Sequence, residues 1–569
     1  KAQSSYPQCQ QGRITSPCQC GNQIYNAGFC CYHPNANSGI WFDPSYEDIL
    51  PNGCPTGNFY FVDQNNPNAS DENPGTEELP WKTSAHAGEV AQAGDVVLVK
   101  AGQYYSPEIK ADGFRGIRVL NSGEPGNPII FKAYPGENVY LLSGLSLDIL
   151  PEQLTNAAIG TSQDWVVIDG FKVYGRIAIT DGAEHVIIQN CEIWEGWPNT
   201  GSGGTNDDCI RLQNVKNIII RNNIIRDNTT SNIWNCAGIK IYKGSNIVVE
   251  NNLIKNCTAG IFDKDGSYFN IFRKNIIKNC LYGFVGPNQV DSEGDEIYQN
   301  EFINCDHACR LLAGDFIVNN FRFYNNVIYS SSGHGFRSDK RPISVWNNIL
   351  LKVNKPYIYF HGSASTLKFS DYNCYFDYNY FQLSNAQHLS LDEWQSATGF
   401  DLHSIESDPL FLNPTSHNFH LQPSSPCLNA GIDRQDYDND GNTTEPINMG
   451  AYITGDETIG LIDLSQYIVE EEPLPTCASQ NGVCCNENQI CQNGTFISSS
   501  DCGNLCCTGE CVSPSIFGDL NQDNKVNSLD FQILIQKFKE TQNIEIEDLN
   551  SDGIVDIKDI GILMHYWNE

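Results

Sequence analysis

One short phrase, repeated along the middle of the chain, restricts this sequence to very few folds. It runs IIQNCEI (187–193), IIRNNII (219–225), VVENNLI (248–254), IFRKNII (271–277), IYQNEFI (297–303), RFYNNVI (322–328) and SVWNNIL (344–350). Aligned on the fourth position, the phrases stack Asn190, Asn222, Asn251, Lys274, Asn300, Asn325 and Asn347, with steps of 32, 29, 23, 26, 25 and 22 residues. A period in the twenties marks a repeat architecture, in which no unit buries its apolar face alone. Short β-branched runs broken by polar corners make the units strands, not helices. Coils wound on one another, each rising about 4.8 Å, bury a continuous column. The expected object over 165–360 is a right-handed parallel β-helix. Asn suits its corners because left-handed backbone is open to it and its amide can bond the same group one coil away. Cys257, Cys280 and Cys305 close NLIKNC, NIIKNC and EFINC in one register, so they read as stacked, buried small residues instead of ligands.

The 68 acidic against 34 basic residues leave a formal charge of −34, which repels nucleic acid and anionic membranes and attracts cations. No run of 18 apolar residues exists to cross a membrane, and no cleavable leader is read at Lys1. The 23 cysteines, clustered at both ends, point to an oxidising compartment and hence to a secreted protein. Asn68, Asn228, Asn256, Asn442 and Asn493 lie in glycosylation sequons.

Residues 1–56 form a Cys-rich module whose Cys9, Cys18, Cys20, Cys30, Cys31 and Cys54 allow up to three bridges; zinc is disfavoured because no paired C-x-x-C set exists and His33 is the one histidine nearby. An acidic, proline-ended stretch at 456–476 reads as a linker. The eight cysteines of 477–512 (Cys477, Cys484, Cys485, Cys491, Cys502, Cys506, Cys507, Cys511) mark a second stapled module with four bridges expected. An odd cysteine total leaves at least one thiol unpaired within the chain.

Between these modules, FYFVDQNNPNASDENPGTEELPWKT from Phe59, AGDVVLVKAGQYY (93–105) and GNPIIFKAYPGENVYL (126–141) resemble the opening segment of secreted right-handed β-helix proteins, a group that includes polysaccharide lyases. SDPLF (407–411), NFHLQPSSPCLNAG (418–431) and INMGAY (447–452) resemble that group's closing coils. The resemblance implies opening coils over 57–155, a central helix over 156–372 and closing coils over 373–455; it speaks to fold, not activity. Cys427 is expected to pair with Cys374. Asp436, Asp438 and Asp440, followed by Gly441, form half of a calcium loop without a twelfth-position acid, and read as a turn first and a candidate metal site second.

The sharpest motif is C-terminal, in 513–569. Asp519, Asn521, Asp523, Lys525 (through its carbonyl), Asn527 and Asp530 occupy positions 1, 3, 5, 7, 9 and 12 of a calcium loop, and Asp548, Asn550, Asp552, Ile554, Asp556 and Asp559 repeat the frame 29 residues later. Two calcium ions are expected, each loop running into an amphipathic helix (FQILIQKF; DIGILMHYW). The pair resembles a type I dockerin, which implies a cohesin-like partner met through Ser528, Leu529, Ile557 and Lys558; Leu529 and Ile557 depart from the polar pairs common there.

For chemistry, a uronate lyase needs a Lys or Arg base and charge neutralisation, here expected from calcium. The candidates are Asp207, Asp208, Arg211, Lys240 and Asp263. Counting eleven back from the aligned Asn position stacks Arg211, Lys240 and Asp263, whereas matching AGI (237–239) to AGI (259–261) moves Asp263 beside Ile241. NDDCI and Gly333-His334-Gly335 also resemble polygalacturonase phrases, but His334 falls about five coils, roughly 24 Å, beyond Asp208, too far for that mechanism. Two readings follow. The first is a calcium-binding glycoprotein rod assembling a surface, matrix or filament through its end modules, with a homopolymer as one partner; the second is a dockerin-borne lyase or hydrolase acting on polysaccharide.

Overall fold

Extended runs, mostly of two to five residues with left-handed corners between many of them, wind the chain into three sheets of twelve strands each, parallel apart from one antiparallel pair at the end of the third. The computed structural model describes residues 6–104, 117–142, 157–196, 207–229, 236–286, 292–312, 318–338, 342–353, 358–360, 367–383, 387–438, 440–469, 477–478, 481–485, 490–493, 496–499 and 502–512. Each coil gives one strand to each sheet in turn, and the connections take the right-handed sense that parallel crossovers adopt. The first sheet runs from Phe59–Val62 to Leu367–Asp371 and the second from Gly102–Tyr104 to Ile405–Glu406. The third contains Arg176–Thr180 (β1), Asp207–Lys216 (β2), Cys236–Ser245 (β3), Ala259–Asp265 (β4), Tyr282–Val285 (β5), His307–Leu311 (β6) and Phe336–Ser338 (β7) in consecutive order.

The repeated phrase supplies the core. Its second position points inward from the first sheet (Ile188, Ile220, Val249, Phe272) and its seventh from the second (Ile193, Ile225, Ile254, Ile277), all essentially without solvent contact. Later coils use larger rings, and Phe302 fits because its third-sheet neighbour is Gly283, where a Cβ would lie 2.6 Å from the Phe302 ring. Cys257, Cys280 and Cys305 are buried thiols, as the phrase register implies.

The asparagines form two columns, not one. Left-handed backbone falls on Asn190, Asn222, Asn251, Lys274, Gln299, Asn325 and Asn347. One position further on, Asn223, Asn252, Asn275, Asn300, Asn326, Asn348 and Asn373 form a buried amide ladder, in which each Oδ1 accepts the backbone N–H of the coil before at 2.9–3.0 Å. Asn300 therefore belongs to the ladder, not to the corner column. Glu296 opens its coil one residue before the expected phrase and pairs with Ile271, so the positions of that phrase alone shift by one, and Arg322 opposite Glu296 restores the register in the next coil.

Both flanks fold against the corner column. In the N-terminal module the bridges are Cys9–Cys18, Cys20–Cys30 and Cys31–Cys54. The module reaches the coils through Tyr46 Oη donating to Asp169 at 2.8 Å, Asn190 Nδ2 donating to Asp43 at 3.1 Å and Arg221 donating to Ser45 O at 2.8 Å. The closing segment then runs back along the column as a strap. Asn347 Nδ2 donates to Ile432 O, Asn325 Nδ2 to Asn448 O, Asn251 Nδ2 to Gly460 O, and Ile462 N to Asn222 Oδ1, before Ile468 bridges to Tyr25. The first part of the expected linker, 456–468, is thus pinned in place: column amides unused by the ladder satisfy its backbone. Cys374 and Cys427 meet as thiols and not as the expected bridge; nine buried cysteines among the described residues remain thiols. Asn228 is buried with its amide donating to Ala237 O at 2.7 Å, which removes it as a glycan acceptor, whereas Asn68, Asn256 and Asn493 are exposed and Asn442 half-exposed.

Residues 8–468 form one compact unit; a second comprises 1–7 and 469–569. Within the second, Cys477–Cys506, Cys484–Cys502 and Cys485–Cys511 are bridged, and Cys507 is also disulfide-bonded. The Cys491 side chain and the calcium loops at 519–530 and 548–559 lie outside the described residues, as do Ser528, Leu529, Ile557 and Lys558.

Candidate functional site

Strand pairing on the third sheet sets one outward row, Ala178–Arg211–Lys240–Phe262–Val285–Arg310–Arg337, and a parallel row, Asp208–Ala237–Ala259–Tyr282–His307. Where the rows begin, charges converge. Arg211 grips Asp208 Oδ2 through Nη2 at 2.5 Å and Nε at 2.9 Å, Lys240 Nζ stands 3.4 Å from Asp208 Oδ1, and Arg176 Nε donates to the Asp208 carbonyl at 3.2 Å. Asp208 and Lys240 have no solvent contact at all. Burial alone would raise the Asp208 carboxyl, but the charges of Lys240, Arg211 and Arg176 outweigh it and hold the group below the ordinary carboxylate range. Burial acts on Lys240 in the opposite sense: it pushes the amine down, Asp208 opposes, and Lys264 and Arg211 add to the depression. Lys264 Nζ lies over Tyr242 at 5.1 Å, and burial keeps the Tyr242 hydroxyl protonated far above neutrality.

Further along the same face the rings of Tyr282, His307 and His334 stack at 5.1 Å intervals, with Arg310 donating to Tyr282 Oη at 3.2 Å. Arg176, Tyr242, Tyr282, His307, Arg310 and Arg337 escape a reading of motifs because only the coil register lines them up.

Of the five sequence candidates, Asp208, Arg211 and Lys240 come together. Asp207 begins β2 opposite Cys236, and its side chain lies outside the described residues. Asp263 does not join them. A bulge between Ile241 and Tyr242 places Asp263 opposite Ile241, pointing inward, where it bonds Ser267 and Asn270. Burial raises both Asp263 and its neighbour Asp295, so this is a core carboxyl pair, not part of the outer face. His334 precedes β7, five strands from Asp208, as the coil count requires.

A set of stacked parallel coils with ladders at the corners defines a parallel β-helix repeat protein, and this chain is one. It carries a type I dockerin module at its C-terminus. Residues 155–364 match the family described as periplasmic copper-binding protein (NosD), and residues 517–568 match the dockerin type I domain. An uncharacterized protein of Bacillus subtilis (strain 168), YwoF, is 22% identical over 464 residues, covering 67% of this chain and 94% of its own. Among solved structures, pectate lyase Pel9A matches with a TM-score of 0.45 and 14% identity over 71% of this chain and 99% of that one. A GH136 lacto-N-biosidase from Eubacterium ramulus matches with a TM-score of 0.43 and 13% identity, covering 57% and 64%. Copper favours thiolate, thioether and imidazole donors. Among the described residues of 155–364 the cysteines are buried thiols and no three His, Cys, Asp or Glu donors converge, so the described donors do not fit copper.

Proposed function

We propose that the protein is an extracellular enzyme that seats uronate-containing polysaccharide on the outer face of the third sheet and cleaves it by β-elimination, with Lys240 as base. Lys240 carries this reading: its amine is depressed toward the neutral form and set beside Arg211 and Lys264, on a face where cations gather in a chain of net charge −34. In the reaction the Lys240 amine takes the proton α to the uronate carboxylate. The released pair forms the ring double bond, the bond to the leaving sugar oxygen breaks, and Tyr242 returns a proton to that oxygen. Arg211 and Lys264 neutralise the carboxylate and so acidify the proton. Arg310 and Arg337 pair with carboxylates of neighbouring sugars, and the Tyr282 and His307 rings support their apolar faces.

Calcium is the expected partner of this chemistry, but the Arg211 and Arg176 guanidiniums hold Asp208 ionised even with Lys240 neutral, which makes it an unfit calcium ligand; arginine and lysine take that role. The burial that makes Lys240 a base also requires substrate to displace its cover. Disulfide modules and the dockerin support action outside the cell, with the dockerin holding the enzyme to a cohesin-like scaffold in a calcium-dependent way.

The test is turnover on a panel of acidic polysaccharides. Release of unsaturated uronate by the natural protein, lost in a Lys240→Met variant that is destabilised but still folded under the assay conditions, supports the reading. No turnover on any of them, with chelator-sensitive polymers of the chain itself, would replace it with the assembly-rod reading.

A further inference from the structure

The strap begins at a turn that ties the closing coils to the corner column, and three carboxylates meet there. Asp433, Asp436 and Asp438 each bring an oxygen within 4.8 Å of the others. Asp440, the third acid of the expected half-loop, is not in this group; its Oδ1 accepts the Asn442 N–H at 2.8 Å. Asp433, which the motif did not include, takes its place.

Asp433 is the telling member. Only 4% exposed, it uses Oδ1 to accept the N–H groups of Gln435 at 3.3 Å and Tyr437 at 3.0 Å, while its buried Oδ2 has no hydrogen-bond partner. A buried carboxylate oxygen without a donor is costly, and two further carboxylates beside it make the cost greater. The one basic side chain of this turn, Arg434, lies over Phe369 at 4.4 Å and Trp346 at 5.3 Å, and the neighbouring Arg322 is held by Glu296 at 3.2 Å and donates to Gln435 Oε1 at 3.4 Å. Asp436 and Asp438 accept from Gly441 and Asp440 N–H through Oδ1, which closes the turn around the carboxylates.

We infer that Asp433, Asp436 and Asp438 bind a calcium ion that locks the strap onto the β-helix, separately from the dockerin loops. A hard, oxygen-seeking cation matches an all-carboxylate donor set with no sulfur or imidazole, and a calcium shell of six to eight oxygens is completed by carbonyls and water. Beside the site, Tyr437 packs on Tyr324 at 4.8 Å and Asn347 holds Ile432, so ordering this turn orders the strap's first contacts.

The experiment uses the full chain with both dockerin loops disabled by Asp519→Ala and Asp548→Ala, and counts bound calcium by equilibrium dialysis. We expect one ion per chain, its affinity falling by roughly tenfold or more when Asp433→Asn is added and again when Asp438→Asn replaces it. Asn at 433 keeps the Oδ1 acceptor, and matching melting curves in chelator show that the fold is retained. A background chain that binds no calcium, or binding unaltered by both substitutions, overturns the site.

Discussion

Lys240 Nζ stands 3.4 Å from Asp208 Oδ1 on the neighbouring coil, and neither side chain touches solvent. The pair couples the two titrations, because the Asp208 charge opposes the burial that depresses the Lys240 amine. Asp208→Asn removes that opposition, so the amine falls further and the acid limb of the activity profile moves to lower pH. Breaking a buried pair also costs about 3–5 kcal/mol of stability. A pH–rate profile and a urea titration of the variant check both; a limb that moves to higher pH would argue against Lys240 as base.

Arg310 and Arg337 share the row of Lys240 but sit three and four coils further on, where they are part-exposed. Each one replaced by Ala is expected to weaken retention on immobilised polyuronate by about 1–2 kcal/mol, roughly tenfold, and to reduce its salt dependence. Affinity electrophoresis at two ionic strengths reads this, with melting as the control.

Glu301 is buried under the strap, accepts from Tyr452 Oη at 2.7 Å, and has its pKa raised from 4.5 to about 7 by desolvation. A raised carboxyl stabilises the fold fully below 4.5, and that contribution is lost as pH climbs through about 7. The strap is therefore expected to be held more firmly in mild acid than above neutrality, by on the order of 3 kcal/mol. Hydrogen exchange over 447–453 should show this slope, and Glu301→Gln should flatten it.

Adjacent positions of one phrase are expected to respond in opposite ways. Asn275→Ala strips acceptor and donor from the ladder, leaving the Asn252 N–H and the Val249 carbonyl short of partners, at about 2–4 kcal/mol. Lys274→Gly, at φ +56°, changes stability by less than about 1 kcal/mol because glycine accepts left-handed backbone freely. Denaturant midpoints of the two variants make the comparison.

The dockerin loops are expected to need calcium to fold, so chelation is expected to lower the far-UV helical signal beyond what Ser84–Val90 and Leu391–Thr398, the α-helices among the described residues, supply. Unchanged helicity in chelator would mean that the dockerin loops fold without metal.

Much of this was legible in the linear chain. The period and the β-branched runs imply coils, and the coil count alone places Arg211 beside Lys240 and keeps His334 away from Asp208. Legibility was partial where one residue decides a register: the AGI match puts Asp263 beside Ile241 as found, whereas the count back from the Asn column misses the bulge there, and Glu296 moves Asn300 from corner to ladder.

The order of residues determined what was local and repeated, because side-chain direction and corner backbone depend on neighbours a few positions away. Only the tertiary structure decided what the repeats carry on their outside. Asn251 finds its partner at Gly460, 209 residues on, and Asn190 finds Asp43. Such contacts depend on where distant segments come to lie on the stacked coils, and nothing in a short window of sequence encodes that distance.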